Sequence, residues 1–197
     1  MRDPLLVGER VYLRALGADD ARVMAQLDAV ETDTFMWRMR MPSSPMEHEK
    51  WIAEMYRQTP PSSVWLAVCT RQDDACIGIV GVVGVNWLHR TGETASFLGP
   101  PAVRNLGYGT EAKHLLLEYC FDHLDFHVLQ SVVDEPNTRS AAALAKQGYR
   151  LAGRRKWTAL KNGRYVDALV FDVMREDWLI ARDAWRASRA AAAPVSE

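Results

Sequence analysis

Apolar side chains recur along this chain with two different periods, and the places where the period changes divide it into elements. Residues 9–15 alternate polar and apolar, as a half-buried strand does. Asp19-Asp20 then offers an N-cap for a helix over roughly 20–30, in which Ala21, Met24, Leu27 and Asp28 set a helical spacing. Residues 35–41, with Phe35, Trp37, Met39 and Met41, are rich in large apolar groups and end at Pro42. Ser44-Pro45 starts a second helix with proline in its first turn and Trp51, Ile52 and Met55 along one side; Pro60-Pro61 stops it. A β-rich block follows: a strand over 64–70, a turn over 71–75, a long apolar run over 76–88, a turn over 89–92 and a strand over 93–99. Turns this short imply antiparallel pairing.

Beyond Pro100-Pro101 the pattern becomes helical. From Gly109 onward, Ala112, Leu115, Leu116, Tyr119 and Cys120 fall on one helical stripe. Residues 128–134 read as a strand, and 138–147 as a helix stopped by Gly148. Strands over 149–160 and 164–174 flank the turn Lys161-Asn162-Gly163. A last helix runs from Glu176 through Trp178, Ile180 and Trp185 and fades into a frayed tail. No repeat or linker interrupts this order. The expected fold is one α/β domain over 8–180 with a mixed, mostly antiparallel sheet flanked by helices, residues 181–197 forming the helix end and tail.

Composition narrows the function. A chain of 197 residues suits one well-packed domain. Its 24 basic and 25 acidic side chains nearly cancel, so no global field draws it to nucleic acid or anionic lipid, and a polyanion must be captured locally. No apolar stretch approaches the roughly 18 residues of a membrane span, and the N-terminal run is too short for a signal sequence. Cys69, Cys76 and Cys120 match no metal or redox spacing and read as reduced thiols of a cytoplasmic protein. His89, His114, His123 and His127 show no metal-ligand spacing either, and no metal is expected.

The most informative segment is Pro100-Pro-Ala-Val-Arg-Asn-Leu-Gly-Tyr-Gly-Thr-Glu-Ala112. It places Arg104, Gly107 and Gly109 between a strand and an amphipathic helix. Glycines there let several backbone N–H groups converge at a helix N-terminus, an anion site that suits a pyrophosphate, to which Arg104 adds a charge-assisted bond. A dinucleotide fingerprint would need a third glycine and a later acidic residue, and a P-loop would need Gly-Lys-Ser/Thr where this chain has Gly109-Thr110-Glu111. The alternative is a helix start that uses glycine only to turn.

This segment resembles the Arg/Gln-x-x-Gly-x-Gly/Ala acyl-CoA motif of the GNAT superfamily of N-acetyltransferases, and the order of elements matches as well. Asn137-Thr-Arg-Ser140, Gly148-Tyr149, 163–167 and Asp177-Trp178 further resemble the branch typified by the RimJ/RimL ribosomal-protein acetyltransferases. The resemblance implies direct acyl transfer from acetyl-CoA, or another acyl-CoA, to a primary amine of a small molecule or a protein N-terminus, with no covalent intermediate. A homodimer is implied too. An acyl-CoA-binding sensor or assembly module that has lost turnover is the competing class.

Carried over to this chain, the resemblance gives specific residues specific duties. The turn Arg104, Asn105, Leu106, Gly107, Tyr108, Gly109 and Thr110 would hold the pyrophosphate. The pantetheine would lie beside the splayed strand 93–99 against the backbone of Phe97, Leu98 and Gly99, with an N–H near Leu98 as oxyanion donor; Phe97 and Leu98 can be core residues at the same time. Glu93 is either a base acting through water or a solvated strand-end charge. Asn137 and Ser140 either cap a helix or, respectively, bond the pantetheine and protonate the departing thiolate. Relatives often carry a tyrosine where this chain has Leu144. The acceptor would enter beside the first two helices, where Phe35, Trp37, Met39 and Met41 form a wall or merely pack, and Glu31, Asp33 and Asp167 could attract a cation. Arg154-Arg-Lys156 marks a solvated face or touches a phosphate of the cofactor. For Arg14, Trp65 and Trp87 the sequence offers no assignment.

Overall fold

The computed structural model describes residues 1–30, 43–99, 103 and 105–192. Within them the chain divides into two compact units that meet in sequence at Phe126 and His127.

The first unit is built on five antiparallel strands in sequential order: β1 (Leu6–Val7), β2 (Val11–Ala15), β3 (Ser63–Thr70), β4 (Cys76–Asn86) and β5 (Thr91–Leu98). The short β1, which the alternation does not reveal, pairs Leu6 with Leu13. Gly92, read from the sequence as the end of a turn, lies inside β5 and is buried. Alternation sorts β2–β5 into two faces. Tyr12, Ala67, Cys69, Ile79 and Phe97 share one core cluster with Leu16, with Ala21, Met24 and Leu27 of α1 (Asp20–Val30), and with Ile52 and Met55 of α2 (Pro45–Arg57). Burying the larger of these, such as Leu27, Ile79 and Phe97, stabilises the fold by about 1.5–3 kcal/mol each. α3 (Tyr108–Glu118) packs against β2, β4 and β5 and continues into a π-helical turn, Tyr119–His123.

The local signals at α2 act as read: Ser44 Oγ accepts the Glu47 N–H and Pro45 opens the helix. At α1 they do not. Asp20 lies within the helix, and its carboxylate takes both arms of Arg14 at 2.7 Å and the Gly17 N–H at 2.7 Å. Arg14 is thereby assigned: it clamps the β2–α1 connection.

The second unit contains β6 (Val128–Asp134), α4 (Thr138–Lys146), β7 (Arg150–Lys161), β8 (Arg164–Met174) and α5 (Arg175–Ala192). β8 lies between β6 and β7 and is antiparallel to both. The β7–β8 turn is Asn162-Gly163 with φ of 48° and 76°, the left-handed pair that a two-residue hairpin uses. Leu129, Val133, Leu144, Phe171, Val173 and Trp178 are buried here, Trp178 completely.

Candidate functional site

The glycine turn folds as an anion cradle. Asn105 (φ 62°) and Gly107 (φ 83°) both adopt left-handed backbone, and Gly107 is the N-cap of α3 with no side chain capping the helix. The N–H groups of the first helical turn, at Tyr108, Gly109 and Thr110, are therefore not consumed by a side-chain cap, and the helix dipole adds to their pull on an anion. Asn105 and Leu106 are exposed beside them. Such a cradle fits a pyrophosphate. Arg104 lies outside the described residues.

Two residues the sequence reading passed over build this turn. Arg10, entering β2, donates Nη1–H to the Leu106 carbonyl at 2.6 Å and lays its guanidinium 5.1 Å from the Tyr108 ring centre. Glu111, almost fully buried in α3, accepts the backbone N–H groups of Arg10 (2.8 Å) and Val11 (3.3 Å) on Oε1 and meets Arg10 Nε with Oε2 at 3.3 Å. A carboxylate that breaks a P-loop pattern is here the tie between β2 and the cradle. Only its position after Gly109-Thr110 could have drawn attention to it.

β5 leads towards the cradle. The Gly99 N–H donates to the Ile77 carbonyl at 2.9 Å, so it is spent on β4 and unavailable to a ligand. Because backbone direction alternates along an antiparallel strand, the Leu98 N–H is turned to the opposite edge of β5. The Phe97 side chain is core, packed with Met24 and Leu27. Gly99 has a packing reason of its own: a Cβ there would stand 2.1 Å from Leu27 Cδ2.

Glu93 is half-buried and shares a face of β5 with Ala95 and Phe97, opposite Val83. That face borders a cavity of about 450 Å³ between α1, α2 and β3–β5. Ala95, Ser96, Phe97 and Val83 line it, with Trp51 and Trp65 in edge-to-face contact at 5.8 Å. Four residues along a strand is roughly 13 Å, so Glu93 stands well up the strand from Phe97.

Asp28 and His48, which line the same cavity, belong to a cluster that no sequence motif announces. Asp28 Oδ2 accepts Ser43 Oγ–H at 2.7 Å and lies 3.0 Å from Nε2 of the buried His48. Ser43 Oγ is also 2.9 Å from that Nε2. All three groups meet at one nitrogen and one oxygen, so the histidine does not bridge serine to aspartate and the set is no nucleophilic triad.

In the second unit Asn137 caps α4, its Oδ1 accepting the Ser140 N–H at 3.1 Å. That fixes the amide: Nδ2 is the end left to donate elsewhere. Ser140 is half-buried, and Leu144 is buried where relatives often carry tyrosine. Asp167 does not await an amine. It takes Arg154 Nε at 2.5 Å and the Trp157 N–H at 3.0 Å, while Arg154 also reaches Glu135 at 2.8 Å. Glu31, Asp33, Phe35, Trp37, Met39 and Met41 lie outside the described residues. Among the described residues no cluster of His, Cys, Asp and Glu could hold a metal, and no helix is long and apolar enough to cross a membrane.

An uncapped helix N-terminus after a left-handed glycine suits the pyrophosphate of an acyl-CoA, the donor of a transferase. The acetyltransferase (GNAT) domain family matches residues 10–150, across the boundary between the two units, and the chain belongs to that family as a single domain of its fold. It is an N-acetyltransferase acting on amines. Spermidine N(1)-acetyltransferase of Escherichia coli (strain K12) is 24% identical over 169 residues, covering 86% of this chain and 88% of the relative. Probable N-acetyltransferase YjcK of Bacillus subtilis (strain 168) is 25% identical, covering 88% and 98%. Among solved structures, a chimera of the Vibrio cholerae spermidine N-acetyltransferase SpeG and hSSAT matches with a TM-score of 0.78 at 21% identity, covering 87% of this chain and 99% of that one. The sensor alternative gains no support from these relatives.

Proposed function

We propose that the chain transfers an acetyl group from acetyl-CoA to the primary amine of a small molecule, by direct attack with both substrates bound. The observation that carries the small-molecule reading is the 450 Å³ cavity bounded by Ala95–Phe97: it lies on the strand whose Leu98 N–H faces outward, and its size suits a compact ligand. Relatives named for spermidine acetylation support the same class. The narrower RimJ/RimL branch rests on Asn137, Ser140, Gly148-Tyr149 and Asp177-Trp178 alone.

In this reading the α3 turn, with Arg104 through Thr110, holds the pyrophosphate, and the Asn137 Nδ2–H₂ and the outer edge of β5 hold the pantetheine arm. Acetyl-CoA supplies an activated acyl carbonyl. The Leu98 N–H steadies the negative charge that develops on the carbonyl oxygen. Glu93 takes the amine proton through water, a step that matters most for a lysine-like amine of pKa about 10.4. Ser140 Oγ–H donates to the departing thiolate. The domain extends over 8–180. The exposed Trp157–Tyr165 pair on the β7–β8 hairpin is suited to burial in a homodimer.

Thiol release from acetyl-CoA with a panel of small amines and N-terminal peptides tests this. Turnover with small amines and none with peptides is expected; the reverse would overturn the acceptor class. Glu93→Gln should lower kcat and remove the loss of activity on the acid limb of the pH profile, and an unchanged profile would exclude it as base. Ser140→Ala should slow turnover without changing the KM for the amine.

A further inference from the structure

We infer that the cavity between α1, α2 and β3–β5 selects an amine with a flat apolar body, with Asp28 as the residue that receives its ammonium group. The inference rests on the acetyltransferase reading and names its acceptor more closely.

The walls are apolar and aromatic: Met24, Trp51, Trp65, Ile79 and Phe97 line most of the space, with the two indoles set edge to face. A flat ring sliding against such a pair gains area burial and aromatic contact together. Among the described lining residues the one carboxylate is Asp28. Ser43 and His48 both close on its Oδ2, which orients the group and leaves Oδ1 without a bond from the described residues. His48 is itself buried in the wall, and its Nδ1 has no hydrogen-bond partner among them.

Initial rates with saturating acetyl-CoA and either 2-phenylethylamine or spermidine test the inference, alongside quenching of tryptophan fluorescence by 2-phenylethylamine in the unmodified protein. The expected result is a kcat/KM at least tenfold higher for 2-phenylethylamine. Asp28→Asn should cut that value tenfold or more with the KM for acetyl-CoA unchanged. Trp51→Ala should cost the aryl amine far more than it costs propylamine. Spermidine as the better substrate, or an Asp28→Asn enzyme with unchanged kcat/KM for the aryl amine, would overturn the inference while leaving the acetyltransferase reading standing. Absence of acetyl-CoA binding by calorimetry, with no amine acetylated, would overturn both. Quenching in the unmodified protein decides the case if a variant does not fold, because no quenching at millimolar amine means the indoles do not line the binding site.

Discussion

Arg14 and Asp20 form a two-armed ion pair, both bonds at 2.7 Å, with side chains only 9% and 4% exposed. Burial alone would push the Asp20 carboxyl up, but the Arg14 bonds and the Gly17 amide outweigh it and hold the group below the ordinary carboxylate range. Its stabilisation is thus present at neutral pH and is lost as pH falls through the lowered value. Asp20→Ala should destabilise by about 3–5 kcal/mol, because it strands a buried guanidinium. Replacing both residues by leucine should recover much of that loss. Urea unfolding of the three proteins at pH 7 checks both statements.

Glu111→Ala removes the acceptor of two backbone N–H groups and should cost about 2–4 kcal/mol. Glu111→Gln keeps an acceptor for those amides but loses the charged bond to Arg10. It should therefore fold nearly as well and show a raised KM for acetyl-CoA with kcat little changed. Thermal unfolding and steady-state kinetics separate the two effects.

Gly107→Ala forces a Cβ into left-handed backbone, at a cost of about 1–2 kcal/mol, and 2.8 Å from Arg10 Nη2. The affinity for acetyl-CoA should fall by about tenfold if that strain is relieved by reshaping the turn. Titration calorimetry with acetyl-CoA reads it directly.

Lys113 is buried in α3, and burial pulls its ammonium down to about 7, against a smaller upward push from Cys120 and Glu93. In the unfolded chain a lysine stays protonated to about 10.4. Between these values the unfolded state binds more protons, so stability should rise with pH. Lys113→Met should flatten that rise. Unfolding free energies of both proteins at pH 7, 8 and 9 show whether their difference changes.

The elements were legible because each is announced by a local signal: alternation in β2, Ser44-Pro45 at α2, Asn162-Gly163 between β7 and β8. The glycine turn was legible for the same reason, since Gly107 and Gly109 lie within one short segment. What stayed hidden depends on partners far apart in sequence. Asp20 reads as a helix cap until Arg14 is seen to claim it. Asp167 reads as a free anion until the β7 bulge brings Arg154 and the Trp157 amide to it. Asp28, Ser43 and His48 carry no motif, because their convergence is made by the packing of α1 against α2.

The bond between Arg10 and Glu111 closes a span of 101 residues. During synthesis the first strand of the domain leaves the ribosome long before its carboxylate partner exists, and a contact so distant in sequence forms late because its loop entropy must first be overcome. The turn before α3 is therefore completed only after α3 has emerged and docked on β2. A nascent chain shorter than that can assemble the β3–β5 meander, yet it lacks the turn we propose for coenzyme A, so on that proposal ligand binding reports the last stage of assembly of the first unit.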